Sequence, residues 1–167
     1  MLTGIFTLLG VWLANRSSLN QLTVKLRHES ERESKESLRA RLEELYSLVS
    51  RWANEVGIHH LTYRRVMDGD LTYNQALDIT IKHKPAVDAN RMFTLAELYF
   101  PSAHESLQSL KSFRDEAAAI QSSFKQAYKM DGQPSKKHSQ ALTLLLGEFD
   151  LAAKKYQEAL AAYAKDV

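Results

Sequence analysis

Apolar residues recur along most of this chain at alternating intervals of three and four, and two stretches break the rhythm. Met1 to Ala14 (MLTGIFTLLGVWLA) is almost continuously apolar and uncharged, whereas Lys25 to Arg41 (KLRHESERESKESLRAR) is charged nearly throughout. From Leu38 the rhythm is regular: Leu38, Leu42, Leu45, Val49, Trp52 and Val56, with His59, Tyr63 and Val66 in the same register. That spacing predicts a helix of about thirty residues with one buried stripe, on which His59 and Tyr63 lie. Met67, Asp68 and Gly69 end it, the glycine supplying a left-handed residue just past the last turn.

The remaining pattern predicts four more helices and no strand. Thr72 with Gln75 forms a capping box that opens a short helix to about Lys82, with Tyr73, Ala76, Leu77 and Ile81 inward and Pro85 as the stop. Asp88 caps a second short helix carrying Met92, Leu95, Ala96 and Tyr99, which ends before Pro101. Ser102 and Glu105 read as a further capping box for a long helix with the stripe Leu107, Leu110, Phe113, Ala117, Ile120, Phe124 and Ala127, closed by Gly132. Pro134 suits the first turn of the last helix, whose stripe is Leu142, Leu145, Phe149, Ala152, Tyr156, Ala159 and Tyr163. The short loop between the last two long helices makes them an antiparallel hairpin, so the expected fold is an all-α bundle of three long and two short helices.

The N-terminal run is the clearest pointer to location. Fourteen residues at ~1.5 Å each give about 21 Å, short of a hydrocarbon core of roughly 30 Å. Nothing basic precedes Gly4, and cleavage after Ala14 would put Trp12 where a signal peptidase needs a small residue, so the segment is expected to be retained. Extension through Asn15, Ser17, Ser18, Leu19, Asn20 and Leu22 adds uncharged length, and Arg16 can snorkel to the headgroups. A thinned or tilted span, or a helix lying in the interface, both follow. Arg16, Lys25 and Arg27 flank only its C-terminal side, which places the N-terminus outside and the body in the cytoplasm of a single-pass inner-membrane protein. Thr3, Thr7, Gly10, Ala14 and Ser17 share one helix face, and small faces let membrane helices approach closely, so this face is the expected seam of a homo-oligomer.

Three regions result: a membrane segment over 1–24, a charged stalk over 25–37 and a cytosolic bundle over 38–167. In the stalk, pairs four apart (Lys25 and Glu29, Arg27 and Glu31, Glu31 and Lys35, Arg32 and Glu36, Arg39 and Glu43) can hold an exposed helix, although the same composition suits a flexible linker.

Composition removes whole classes of function. Zero cysteines exclude a disulfide scaffold, a thiolate nucleophile and a cysteine-ligated metal. With 22 basic against 20 acidic residues the chain offers no polycation to grip duplex nucleic acid. No zinc-protease helix, phosphate loop, nucleophile elbow or calcium loop is present, and Asp68, Gly69 and Asp70 read as a turn, so neither an enzyme nor a cofactor or metal site is expected.

One cluster mixes positive charge with aromatic surface along a single helix: Arg51, His59, His60, Tyr63, Arg64 and Arg65. Tyr63 can stack on a base, Arg64 or Arg65 can fork to a phosphate and His60 can donate a hydrogen bond, the mixture used for nucleotides and single-stranded nucleic acid. His59 and Tyr63 equally suit the core, and Arg64 and Arg65 a solvated surface. Around the last hairpin turn Lys125, Lys129, Lys136 and Lys137 stand with His138, where lysines also offset a helix dipole.

The layout GIFTLLGVWLANRSS, then KLRHESERESKES, then LEELYSLVSRWA resembles the small membrane-anchored bacterial proteins encoded with phage-defence systems. Within that group it is similar in plan to the membrane effectors of type III CRISPR defence. The resemblance covers the layout of the whole chain and transfers no signature residue. It implies a cytosolic domain that oligomerises, binds cyclic oligoadenylate and signals to its membrane helices. The expected function is therefore a membrane-anchored oligomeric effector that binds an anionic nucleotide-type signal through Arg51, His60, Tyr63, Arg64 and Arg65. The alternative is a membrane-tethered scaffold or adaptor that docks a protein partner through Trp52, Tyr99 or Phe100.

Overall fold

The computed structural model of the chain describes residues 2–83 and 87–165, with side chains throughout except at 2–15 and 17. Five helices make it up: α1 (Leu2–Asp68), α2 (Tyr73–Lys82), α3 (Ala89–Tyr99), α4 (Pro101–Asp131) and α5 (Lys136–Tyr163). No strand occurs among the described residues, so the protein is all-α with three long and two short helices. Also among the described residues, no helix is long and apolar enough to cross a membrane. The chain divides into two compact units, 1–40 and 41–167.

The first unit is a single stretch of α1. Its charged segment is helical, and ion pairs Lys25–Glu29 (3.9 Å), Arg27–Glu31 (3.0 Å) and Arg32–Glu36 (2.8 Å) run along it one turn apart. Exposed pairs of this kind add only tenths of a kcal/mol each, so they work as a series. The side chains of Thr3, Thr7, Gly10, Ala14 and Ser17 lie outside the described residues.

In the second unit each helix end has an identifiable cause. Gly69 (φ 87°) and Gly132 (φ 68°) take the left-handed conformation that stops α1 and α4. Thr72 accepts from the Gln75 N–H while the Gln75 side chain accepts from the Thr72 N–H, the reciprocal box that starts α2. Asp88 accepts from the Arg91 N–H at 3.0 Å to start α3. Pro85 lies outside the described residues.

Two helix starts differ from the sequence expectation. α4 begins at Pro101 directly after Phe100, with no side-chain cap, because proline needs no N–H partner in the first turn. Ser102 is therefore inside the helix, and its hydroxyl meets the Tyr163 hydroxyl at 2.5 Å. Pro134 is outside α5, whose flanking residue is Ser135. The Pro134 ring instead lies over Gly69, where a Cβ would come within 3.1 Å of it. The Ser135 N–H donates to the Met67 carbonyl at 2.9 Å, so the α4–α5 turn is tied to the end of α1.

The core fills from α1, α4 and α5, with α2 and α3 as lids. At one end Tyr63, Val66, Met67, Ala76, Ala117, Phe124, Leu142 and Leu145 form a continuous cluster. At the other, Trp52 packs edge-on to Phe93 (6.3 Å) and Phe149 (5.8 Å). Inner positions depart from the expected stripes at several places. His60 is buried and His59 is at the surface, Ala153 and Leu160 take the places expected for Ala152 and Ala159, Ile81 is 70 % exposed, and Leu77, Tyr99 and Tyr163 are exposed as well. A helix turns 100° per residue, so a stripe read in threes and fours drifts by one residue over several turns.

Candidate functional site

The residues expected to bind a ligand are distributed around α1 and do not converge. Arg51 is exposed and its Nε donates to the Ser47 carbonyl at 3.4 Å. Arg65 is exposed on a different face, and half-buried Arg64 lies 3.7 Å from the Asp68 carboxylate. Tyr63 is buried, its ring taken up by His59 (5.2 Å) and Tyr73 (5.7 Å). His60 is 3 % exposed. Burial pushes its pKa down to about 4, the neighbouring His59 and Arg114 charges push the same way, and a hydrogen bond with Gln121 opposes them. The imidazole is therefore neutral at physiological pH.

The two anchors named for a docking role separate likewise. Trp52 and Phe100 are buried, whereas Tyr99 is partly exposed with the Arg41 guanidinium 4.1 Å above its ring.

A different place combines charge with aromatic surface. Where the first turn of α2 meets the last turns of α4, Tyr73, Asn74, Lys125, Tyr128 and Lys129 line an open hollow of about 280 Å³. Tyr73 and Tyr128 are stacked, 5.9 Å between centroids and 28° between planes. Each is held from behind, Tyr73 by Tyr63 (5.7 Å) and Tyr128 by Phe124 (5.4 Å). Burial, with the nearby Tyr63 phenol adding to it, raises the Tyr73 pKa, so this hydroxyl stays a neutral donor. Lys125 and Lys129 stand one turn apart on the exposed side, near a helix C-terminus that favours positive charge. Neither is ion-paired among the described residues.

The rest of the lysine group lies around the hairpin turn. Lys136 and Lys137 are exposed in the first turn of α5. His138 is fixed by Ser135 (2.7 Å to Nδ1) and Ser123 (3.2 Å to Nε2), with its ring on Phe124 at 5.8 Å. It is part of the packing.

Chemically, the hollow offers two ammonium groups for an oxyanion, phenol edges for a flat ring and the Asn74 amide for a polar edge. Among the described residues no group of three His, Cys, Asp or Glu could hold a metal ion. The sequence singled out Lys125 and Lys129 but not their tyrosines. Tyr73 reads as an inward residue of a short helix, and only the packing of α2 on α4 brings it to Tyr128. Comparison with known proteins adds no relative: no protein-family model, curated protein or solved structure matches this chain.

Proposed function

We propose that this protein is a non-enzymatic, self-associating effector that takes an anionic nucleotide-type signal in the Tyr73–Lys129 hollow. The observation that carries the reading is the stacked tyrosine pair beside two unpaired lysines, the mixture that holds phosphate and base together in sequence-tolerant binding. The N-terminal apolar run attaches the chain to a bacterial inner membrane, with the N-terminus outside and the body in the cytoplasm. Thr3, Thr7, Gly10, Ala14 and Ser17 form the seam between copies. Cyclic oligoadenylate is the first ligand to try, because copies of one modest site repeated around a symmetric oligomer would meet a cyclic, repeating polyanion.

The test is a thermal-shift and native-mass measurement on the full chain against linear and cyclic adenylates. A ligand at ~100 times its dissociation constant adds roughly 2.7 kcal/mol to the folded state. A shift that disappears in the Lys125→Gln, Lys129→Gln double variant supports the site; indifference to every nucleotide sinks it.

A second reading, an adaptor that docks a protein partner, is favoured by α3. There Leu98 is 66 % exposed next to Tyr99 and Arg41, an apolar and aromatic spot with a cation stacked on it. Capture of one protein partner that is lost in the Leu98→Asp variant, with no nucleotide response, would select this reading.

A further inference from the structure

A second concavity lies between α1 and α5, away from the hollow, and nothing in the proposed function uses it. It is an open groove of about 500 Å³, within the range of small-molecule sites. The two helices run antiparallel along it. At one end the Gln157 amide donates to the Ser50 hydroxyl at 2.9 Å, and Arg64 and Thr143 are among the residues that line the other. Ala53, Ile58, Leu61, Leu146, Phe149 and Ala153 make its walls apolar.

Gly57 and Gly147, one on each helix, open onto the same groove. Both are inside helices, where glycine weakens the structure relative to alanine. A Cβ built at either would meet nothing within 4 Å. Neither has the positive φ that requires glycine at the two helix stops. The fold itself therefore gives no reason for either residue, and what they accomplish is to keep the groove open down to the backbone.

Among the buried side-chain polar atoms of the described lining, one has no hydrogen-bond partner. Asp150 and Lys154 pair with each other at 2.8 Å along the rim. Arg64 is only half-buried, but its Nε is buried and has no hydrogen-bond acceptor. The Asp68 carboxylate balances its charge from 3.7 Å, beyond hydrogen-bond length, and accepts from the Ser139 hydroxyl instead. A buried guanidinium N–H without an acceptor is costly in a folded protein, and Arg64 lines the groove, where an oxyanion would give its guanidinium a partner.

We propose that this groove binds one chain of an anionic amphiphile, an acyl or alkyl chain carried by a carboxylate or phosphate head group. The chain lies over Gly57 and Gly147 between the apolar walls, and the head group accepts from Arg64. A flat base finds no open ring here, since Phe149 is buried. Free fatty acid and the acyl chain of a bilayer lipid supply the same chemistry.

The experiment is photo-crosslinking of the full chain, mapped by mass spectrometry, with three probes that each carry a diazirine on the chain. These are dodecanoate in solution, dodecanol in solution, and phosphatidylglycerol in vesicles otherwise made of phosphatidylcholine. Dodecanoate is expected to label peptides from residues 50–64 and 143–157, with tenfold less labelling in the Gly57→Leu, Gly147→Leu double variant that fills the groove. Arg64→Gln should reduce labelling by dodecanoate severalfold and leave dodecanol unchanged. Labelling by dodecanoate identifies a free amphiphile, and labelling by phosphatidylglycerol alone identifies a membrane source. Label spread over other helices, or label in the groove that survives both sets of variants, overturns the proposal. Because no lysine or tyrosine of the hollow is involved, a nucleotide that shifts the protein's stability leaves this result independent.

Discussion

Through the body of the protein α1 presents two faces with the same helical spacing and opposite fates. Val56, His60, Tyr63 and Met67 are sealed inside, whereas Ala53, Gly57, Leu61 and Arg64 border an open groove. The difference lies in what stands opposite. Against the sealed face α4 and α5 bring Phe124, Leu142 and Leu145; against the open face α5 brings Gly147, Asp150 and Lys154. An apolar stripe thus says which side of a helix turns inward, and the volume of residues far away in sequence decides whether the space beside it is filled.

The strongest way to break this contrast is to hollow out the sealed face. Phe124 is fully buried and touches Tyr128 and His138, so Phe124→Ala should destabilise by about 3–5 kcal/mol through lost burial and the cavity left behind. The urea midpoint of the full chain measures it. A loss under ~1 kcal/mol would mean that the sealed face is not packed as described.

Next in size is a pH effect that belongs to the sealed face alone. His60 titrates near 6.5 when unfolded and near 4 when folded, so between those values the unfolded chain binds the extra proton. Its contribution is complete above about pH 6.5 and is lost progressively as pH falls toward 4, a change on the order of 3 kcal/mol. Melting temperatures from pH 7.5 to 4.5 should fall steeply in the wild type and less steeply in His60→Leu. Parallel curves would remove His60 as the cause.

How much of this could be read in the sequence follows from the range of the interactions. Helix stops and starts with a local cause were legible: Gly69, Gly132, the Thr72–Gln75 box and the Asp88 cap depend on residues within one turn. Ser102 and Pro134 were misplaced because Pro101 is itself a sufficient helix start and because Gly69, sixty-five positions away, provides the seat for the Pro134 ring. His60 was assigned to a ligand because a histidine beside arginines looks polar in one dimension, and only the drift of the stripe turns it inward. The tyrosine hollow and the groove both lie between helices remote in sequence, where spacing carries no signal. Gly57 and Gly147 were the one available hint, as helix-interior glycines without a turn to make.

Those glycines give the third test. Gly57→Ala and Gly147→Ala should each stabilise the protein by about 1 kcal/mol, since alanine favours the helix and the added methyl meets open space. The glycines at the helix stops should respond with the opposite sign. Gly132→Ala forces a side chain into a left-handed conformation, and Gly69→Ala adds a close approach to Pro134, so each should lose about 1 kcal/mol or more. Denaturant midpoints of the four single variants separate the two pairs. If Gly57→Ala destabilises, the open face is already occupied by something the fold needs.

The smallest expected effect is the most useful for interpreting the groove. Arg64 and Asp68 are each about one-third exposed and their closest approach is 3.7 Å, so the pair is solvent-screened and not hydrogen-bonded through Nε. Such a pair contributes about 0–1 kcal/mol, and Arg64→Gln should shift the midpoint by tenths at low salt and by nothing measurable at high salt. A larger loss would show that Arg64 holds the α1–α5 contact together, and any binding defect in that variant would then reflect the fold. A negligible loss makes the same substitution a clean probe, because any change in labelling of the groove then reflects the lost guanidinium and not the fold.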